Sequence, residues 1–269
     1  MSQLMLNDPV VPFKEFYGRN NEQMSKLIEE GRIPLSVAGL MEKRLEVLTN
    51  SSDEVRSAWW DNYFDTRDGI FYHPDGDLKV VLGAQPIRDM AGDSKLYSGA
   101  LVLGEDRDSS INVYSSLEGA EFKRNDLEGQ VGKVLSKDAV KNHPVWNALV
   151  TDKALLDEYV DATFAQGKER FDYDNMMGIW ISSPQNIATG RLWFVNDLEY
   201  DSLASGDDDI DDSDGRLVGV APEALGARGN CIPNSKSIAD NVHNYLTSRT
   251  MAEGVTKKGL LKAVQDCYK

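Results

Sequence analysis

The sequence predicts an α+β fold on three observations. Apolar residues recur at the helical 3.6-residue period in two stretches, Val37 to Leu48 and Leu155 to Phe164. Short runs rich in β-branched and aromatic residues flank turn-forming Pro, Gly and Asp elsewhere, which is the pattern of strands. Neither a repeat nor a linker separates the two kinds of segment, so a single α+β domain with additional helices at the N- and C-termini is expected.

In chain order, Glu22 to Glu30 reads as a short helix stopped by Gly31 and Pro34. Ser36 is placed to cap a second helix, whose Val37, Leu40, Met41, Arg44, Leu45 and Leu48 share one face. Ser51 and Glu54 have capping-box spacing and open a helix carrying Trp59 and Trp60. Gly69 to Tyr72 and Leu78 to Leu82 then flank His73-Pro74-Asp75-Gly76, where Pro presets φ and Gly tolerates a positive φ, so a hairpin is expected. Lys95 to Leu103 and Ile111 to Tyr114 read as strands around a polar loop. Helix resumes at Asp138 to Asn142, at Pro144 to Leu149, and from a Thr151 cap to Gly167. Three strands follow, Gly178 to Ser182, Arg191 to Val195 and Arg216 to Ala221, and two helices, Lys236 to Thr247 and Thr256 to Tyr268, close the chain. Residues 1–50 are expected to pack as a helical segment on a main domain of 51–269.

The formal charge of −15 argues against nucleic-acid binding, which needs basic clusters to neutralise phosphates. It equally disfavours anionic membrane surfaces. No apolar stretch approaches the 18 residues that span a bilayer, and residues 1–11 lack the pattern of a secretion signal. Cys231 and Cys267 are too few for a disulfide framework, and His73, His143 and His243 are too scattered for a histidine metal centre. No P-loop, G-x-S-x-G or H-E-x-x-H pattern is present, so catalysis has no positive signal. No cofactor is implied.

The unusual stretch lies between Trp180 and Arg228. Strand alternation puts Ile179, Ile181, Leu192 and Phe194 on a core face, and Trp180, Ser182, Arg191, Trp193 and Val195 on the other. Tryptophans among polar groups suit a contact surface, because aromatics bring large area at low entropic cost; ordinary core residues under a covering loop are the alternative. The loop from Asn196 to Gly215 carries Asp197, Glu199, Asp201, Asp207, Asp208, Asp209, Asp211, Asp212 and Asp214. Carboxylates this dense must be solvated or neutralised by a cation or basic partner. Ile210 and Ala221 occupy the first and twelfth positions of a calcium-loop alignment, which excludes an EF-hand. From Phe194 to Pro222 every residue except Glu199 can be encoded by a codon ending in a pyrimidine, and Lys, Gln, Met and Trp are absent. Chance in a short acidic stretch gives such a composition, and adenine-directed mutagenesis of Asn-type codons leaves it too.

The order Gly178-Ile-Trp-Ile-Ser-Ser183, Arg191-Leu-Trp-Phe-Val195, Gly215-Arg-Leu-Val-Gly-Val-Ala221 and Leu225-Gly-Ala-Arg-Gly229 resembles the variable region of diversity-generating retroelement target proteins, particularly the archaeal group with a C-type lectin fold. The resemblance covers roughly residues 135–230, with a variable region at about 172–228. It implies a hypervariable ligand-binding surface on a fixed scaffold, an unknown protein or surface ligand as partner, and a place at the cell surface or on a virion. The calcium-binding Trp-Asn-Asp of animal lectins is not reproduced, since Phe194 and Val195 separate Trp193 from Asn196-Asp197. Trp180, Ser182, Arg191, Trp193, Asn196, Asp197, Tyr200, Asp201, Ser202, Asp207, Asp208 and Asp209 are therefore the expected contact residues. The competing readings are a hydrolase or lyase using loop carboxylates and a metal, and a structural subunit of a virus or surface assembly.

Overall fold

Helices with one apolar face and strands with alternating burial need a shared core, and here a single mixed sheet provides it. The structure, a computed structural model, describes residues 12–222. Those up to Val220 belong to one compact unit. The expected helices after Lys236, both cysteines and the Leu225–Gly229 motif lie outside the described residues.

Strand β1 (Phe13–Tyr17), helix α1 (Asn20–Glu29) and β2 (Ile33–Pro34) come first. Helix α2 (Val37–Asn50) starts at Ser36, whose side chain accepts from the Gly39 N–H at 3.0 Å, as its sequence position suggests. Helix α3 (Asp53–Trp60) starts one residue later than the Ser51–Glu54 spacing implied: Ser52 is its cap residue and makes no side-chain cap bond. The expected hairpin forms, β3 (Phe64–Tyr72) and β4 (Leu78–Val81) pairing from Gly69↔Val81 to Tyr72↔Leu78.

The next stretch departs from expectation. After the short α4 (Gln85–Arg88), residues 95–103 fold as two strands, β5 (Leu96–Tyr97) and β6 (Ala100–Val102), turning at Ser98-Gly99. Ile111 to Tyr114 lies in helix α5 (Arg107–Ser116), not a strand. Its start carries a capping box of Asp106 and Ser109, a stronger local signal than a four-residue apolar alternation. Strand β7 (Ala120–Phe122) and a 3₁₀ turn at Arg124–Leu127 follow.

Helices α6 (Lys137–Asn142), α7 (Pro144–Leu149) and α8 (Lys153–Phe171) come next. Asp152, not Thr151, caps α8, accepting from the Ala154 and Leu155 N–H groups. Of its expected stripe, Leu156, Tyr159, Val160, Thr163 and Phe164 are buried while Leu155 is half-buried, and the helix continues past Gly167. The last strands are β8 (Ile179–Ile181), β9 (Thr189–Val195), β10 (Ala204–Gly206) and β11 (Arg216–Val220).

Along its main path the sheet runs β1-β11-β3-β9-β10-β8, with β1 antiparallel and β3 parallel to β11. The first and last described strands thus meet, since β1 pairs with β11, as does β2. Strands β3 and β9 are at the centre. Their register shifts between Asp65 and Gly69, and Thr66 closes that bulge by donating its hydroxyl to the Trp193 carbonyl at 2.9 Å. Asp68, also in the bulge, accepts from the Val37 and Gly83 N–H groups, each at 2.8 Å, so one carboxylate anchors both the start of α2 and the turn after β4.

Candidate functional site

The strands that suggested a binding surface do share one sheet: β9 pairs with β3 and β10, and β10 with β8. Their faces, however, do not divide solvent from core as alternation implied. Leu192, Trp193 and Val195 are all buried, Trp193 completely, while Phe194, assigned to the core, is the partly exposed residue of the strand. A strand with neighbours on both edges and cover on both faces carries no solvent face for a period-two pattern to report.

Arg191 is likewise a framework residue. It is 4 % exposed, and its guanidinium donates to the Asp208 carbonyl at 2.6 Å, to the Asp209 carboxylate at 2.8 Å and to the Ser98 carbonyl. The acidic loop is thereby tied to the β5–β6 turn, and the Ile210 N–H adds a bond to the Gly99 carbonyl at 2.8 Å. Gly99 has φ +70, and a Cβ there would lie 2.1 Å from an Asp209 carboxylate oxygen, so glycine is required for the approach. Ser202 is also fully buried, closing a turn through its N–H to the Asp197 carbonyl at 2.8 Å. Arg191, Trp193 and Ser202 are therefore corrected from contact to support.

The other expected residues reach solvent to different degrees. Tyr200 is 63 % exposed, held on a turn where the Asp197 carboxylate accepts the Tyr200 N–H at 3.0 Å. Asp207, Asp208 and Asp209 are exposed. Trp180, Ser182, Asn196, Asp197 and Asp201 are half-buried. Trp180 packs back over Gly178, where a Cβ would meet its ring at 2.1 Å. Buried anchors punctuate the loop: Leu198, whose N–H donates to the Trp60 carbonyl at 2.9 Å, strand β10, and Ile210.

Between these anchors opens a cleft of about 140 Å³. One wall is aromatic, Tyr63 and Phe194 with ring centres 5.1 Å apart. The remainder is mainly carboxylate: Asp65, Asp208, Asp209, Asp212 and Asp214. Asn20, at the start of α1, and Gly215 complete the lining. Asn20, Tyr63 and Asp65 had no sequence signal, because they lie more than a hundred residues from the acidic loop and meet it only through sheet pairing. Among the described residues no three His, Cys, Asp or Glu side chains converge closely enough to hold a metal ion.

Burial raises the Asp65 carboxyl to about 7, although the Arg216 N–H (2.7 Å) and the Asn20 side chain favour its charged form. Although much of Asp208 is exposed, its carboxyl lines the cleft, and desolvation there, with the Asp207 charge second, raises it to about 6. Arg216 sits 4.7 Å over the Tyr63 ring and pairs with Glu15 at 2.9 Å, so its charge is already engaged beside the cleft. A carboxyl whose folded pKa lies above its unfolded value favours folding most when protonated. The contribution of Asp65 is thus full below pH 4 and lost as pH rises through about 7. Asp65→Asn should therefore gain stability relative to the parent between pH 5 and pH 8, measured as the difference in urea-unfolding free energy. A difference independent of pH would show that Asp65 is ionised throughout.

No protein-family model matches the sequence, and no curated protein does. Among solved structures the chain is similar to one described as the accommodation of massive sequence variation in Nanoarchaeota by the C-type lectin fold. The TM-score is 0.58 at 16 % identity, over 79 % of this chain and 99 % of that one. The chain has a C-type lectin fold. At that identity the likeness concerns backbone architecture alone. No helix among the described residues is long and apolar enough to cross a membrane.

Proposed function

We propose that this C-type lectin scaffold is a ligand-binding protein of receptor or adhesion type, whose contact surface is diversified by a retroelement. Its role is binding and not catalysis. One observation carries the reading: in the segment 194–214, exposed side chains alternate with buried anchors. Tyr200, Asp207 to Asp209 and Asp211 to Asp214 are displayed, while Val195, Leu198, Ser202, Ala204 and Ile210 are buried. Such a segment tolerates change at displayed positions because those side chains contribute little burial, and surface substitutions cost within about 0.5 kcal/mol. The restriction of residues 194–222, Glu199 apart, to amino acids that a pyrimidine-ending codon can encode, and the Nanoarchaeota likeness, support diversification.

The test is substitution in two sets. Replacing Tyr200, Asp207 and Asp211 together with Ser should shift Tm by less than about 4 °C, from the small cost of surface changes. The same change at Leu198 and Ile210 should unfold the protein or lower Tm by roughly 10 °C or more, from lost apolar burial. Cooperative unfolding by the first set would remove the basis for a variable surface. At the gene level the reading requires a reverse transcriptase and a near-copy of the segment that differs at adenines in the neighbourhood; their absence would remove the retroelement.

A further inference from the structure

We propose that the cleft between Tyr63, Phe194 and the Asp208–Asp214 loop receives a basic side chain, a guanidinium above all, from a protein or peptide ligand. This rests on the binding reading above and names the chemistry of one part of its surface. Charge is the first argument. Arg191 neutralises Asp209, whereas no Lys or Arg among the described residues forms an ion pair with Asp208, Asp212 or Asp214. The opening of α1 at Asn20 brings about half a positive charge, which offsets a fraction of one carboxylate.

The second argument is independent of the acidic cluster. Asn20 is 3 % exposed and lines the cleft, yet its side-chain oxygen has no hydrogen-bond partner. Its side chain already engages the Asp65 carboxyl, so the unpartnered carbonyl is an acceptor awaiting a donor. Buried polar groups rarely go unpaired in a native fold, and a cationic N–H donor answers both this oxygen and the carboxylates.

Shape selects among cations. The carboxylates line the cleft without converging in the threes that a metal ion needs. A flat, multi-donor guanidinium can bond to separated oxygens and lie against the Tyr63–Phe194 wall, whereas an ammonium offers a point charge. Occupancy also favours the ionised carboxyls of Asp65 and Asp208, so binding near pH 6.5 releases protons.

The test is calorimetric titration of the intact chain with a blocked Gly-Arg-Gly peptide, its Lys and citrulline counterparts, and CaCl₂ alone, at pH 5 and pH 8. The Arg peptide should bind saturably, at least tenfold more tightly at pH 8 than at pH 5 and more tightly than the Lys peptide. Citrulline, isosteric and neutral, should not bind. The double variant Asp208→Asn/Asp214→Asn should lose at least tenfold in affinity. Glu158→Gln, an equal charge change per site at an exposed position of α8 outside the cleft, should lose less than twofold. Far-ultraviolet circular dichroism of each variant shows that loss is not unfolding. Absence of Arg-peptide binding, equal binding of citrulline, or calcium binding in its place would each overturn the inference. Such a failure leaves the variable-surface reading intact, because that reading is tested by substitution tolerance and gene neighbourhood.

Discussion

Arg44→Ala should cost about 3–5 kcal/mol of stability, from the cavity left by a large buried side chain and the acceptors it leaves unpaired. Arg44 is fully buried on α2, and its donors go to four neutral oxygens: the carbonyls of Trp59 (2.9 Å), Asn62 (2.9 Å) and Asn196 (3.0 Å) and the Tyr159 hydroxyl (2.8 Å). Its guanidinium also lies 5.7 Å from the Trp60 ring centre and 5.9 Å from that of Phe64. One planar group thus joins α2, α3, α8 and the first residue of the acidic loop. Alanine removes the donors and leaves three inward carbonyls beside a large void, adding an unsatisfied-acceptor cost to a cavity cost. Lysine keeps the charge but cannot fork to four acceptors, so Arg44→Lys should recover less than half of the loss. Urea unfolding of the three proteins measures this. Full recovery by lysine would mean that charge alone, not geometry, is what the site uses.

Trp193→Ala should be nearly as severe, about 3–5 kcal/mol, a fall in Tm on the order of 10 °C for a domain of this size. The indole is 0 % exposed in the central strand β9, opposite the β3 bulge that Thr66 closes. Its ring N–H has no hydrogen-bond partner, so the side chain serves by volume alone. Trp193→Phe should then cost only about 1–2 kcal/mol, because a smaller ring leaves a smaller void and no broken hydrogen bond. Thermal melts decide it. A near-neutral Trp193→Ala would return the residue to the surface where strand alternation had put it.

Arg44 and Trp193 mark the two ways sequence reading met the fold. Arg44 already fell among Val37, Leu40 and Met41 on one helical face, so its burial was visible in the period, and only its partners were hidden. Trp193 was misread because alternation has meaning only when one face of a strand is wet, and β9 is covered on both. The same limit applies to Ile111–Tyr114, where three or four residues of pattern were outweighed by the Asp106–Ser109 cap.

What the sequence determined alone were the local terms. Periodicity set α2 and α8, the Pro-Asp-Gly turn set the β3–β4 hairpin, and composition set the acidity of the loop after β9. Each is fixed by neighbours a few residues away. The tertiary structure decided which loop residues are anchors and which are displayed, and it alone brought Asn20, Tyr63 and Asp65 to the carboxylates near Asp208. Burial and cleft geometry depend on pairings such as Leu217↔Asp65, more than a hundred residues apart, and no window of local chemistry contains both partners.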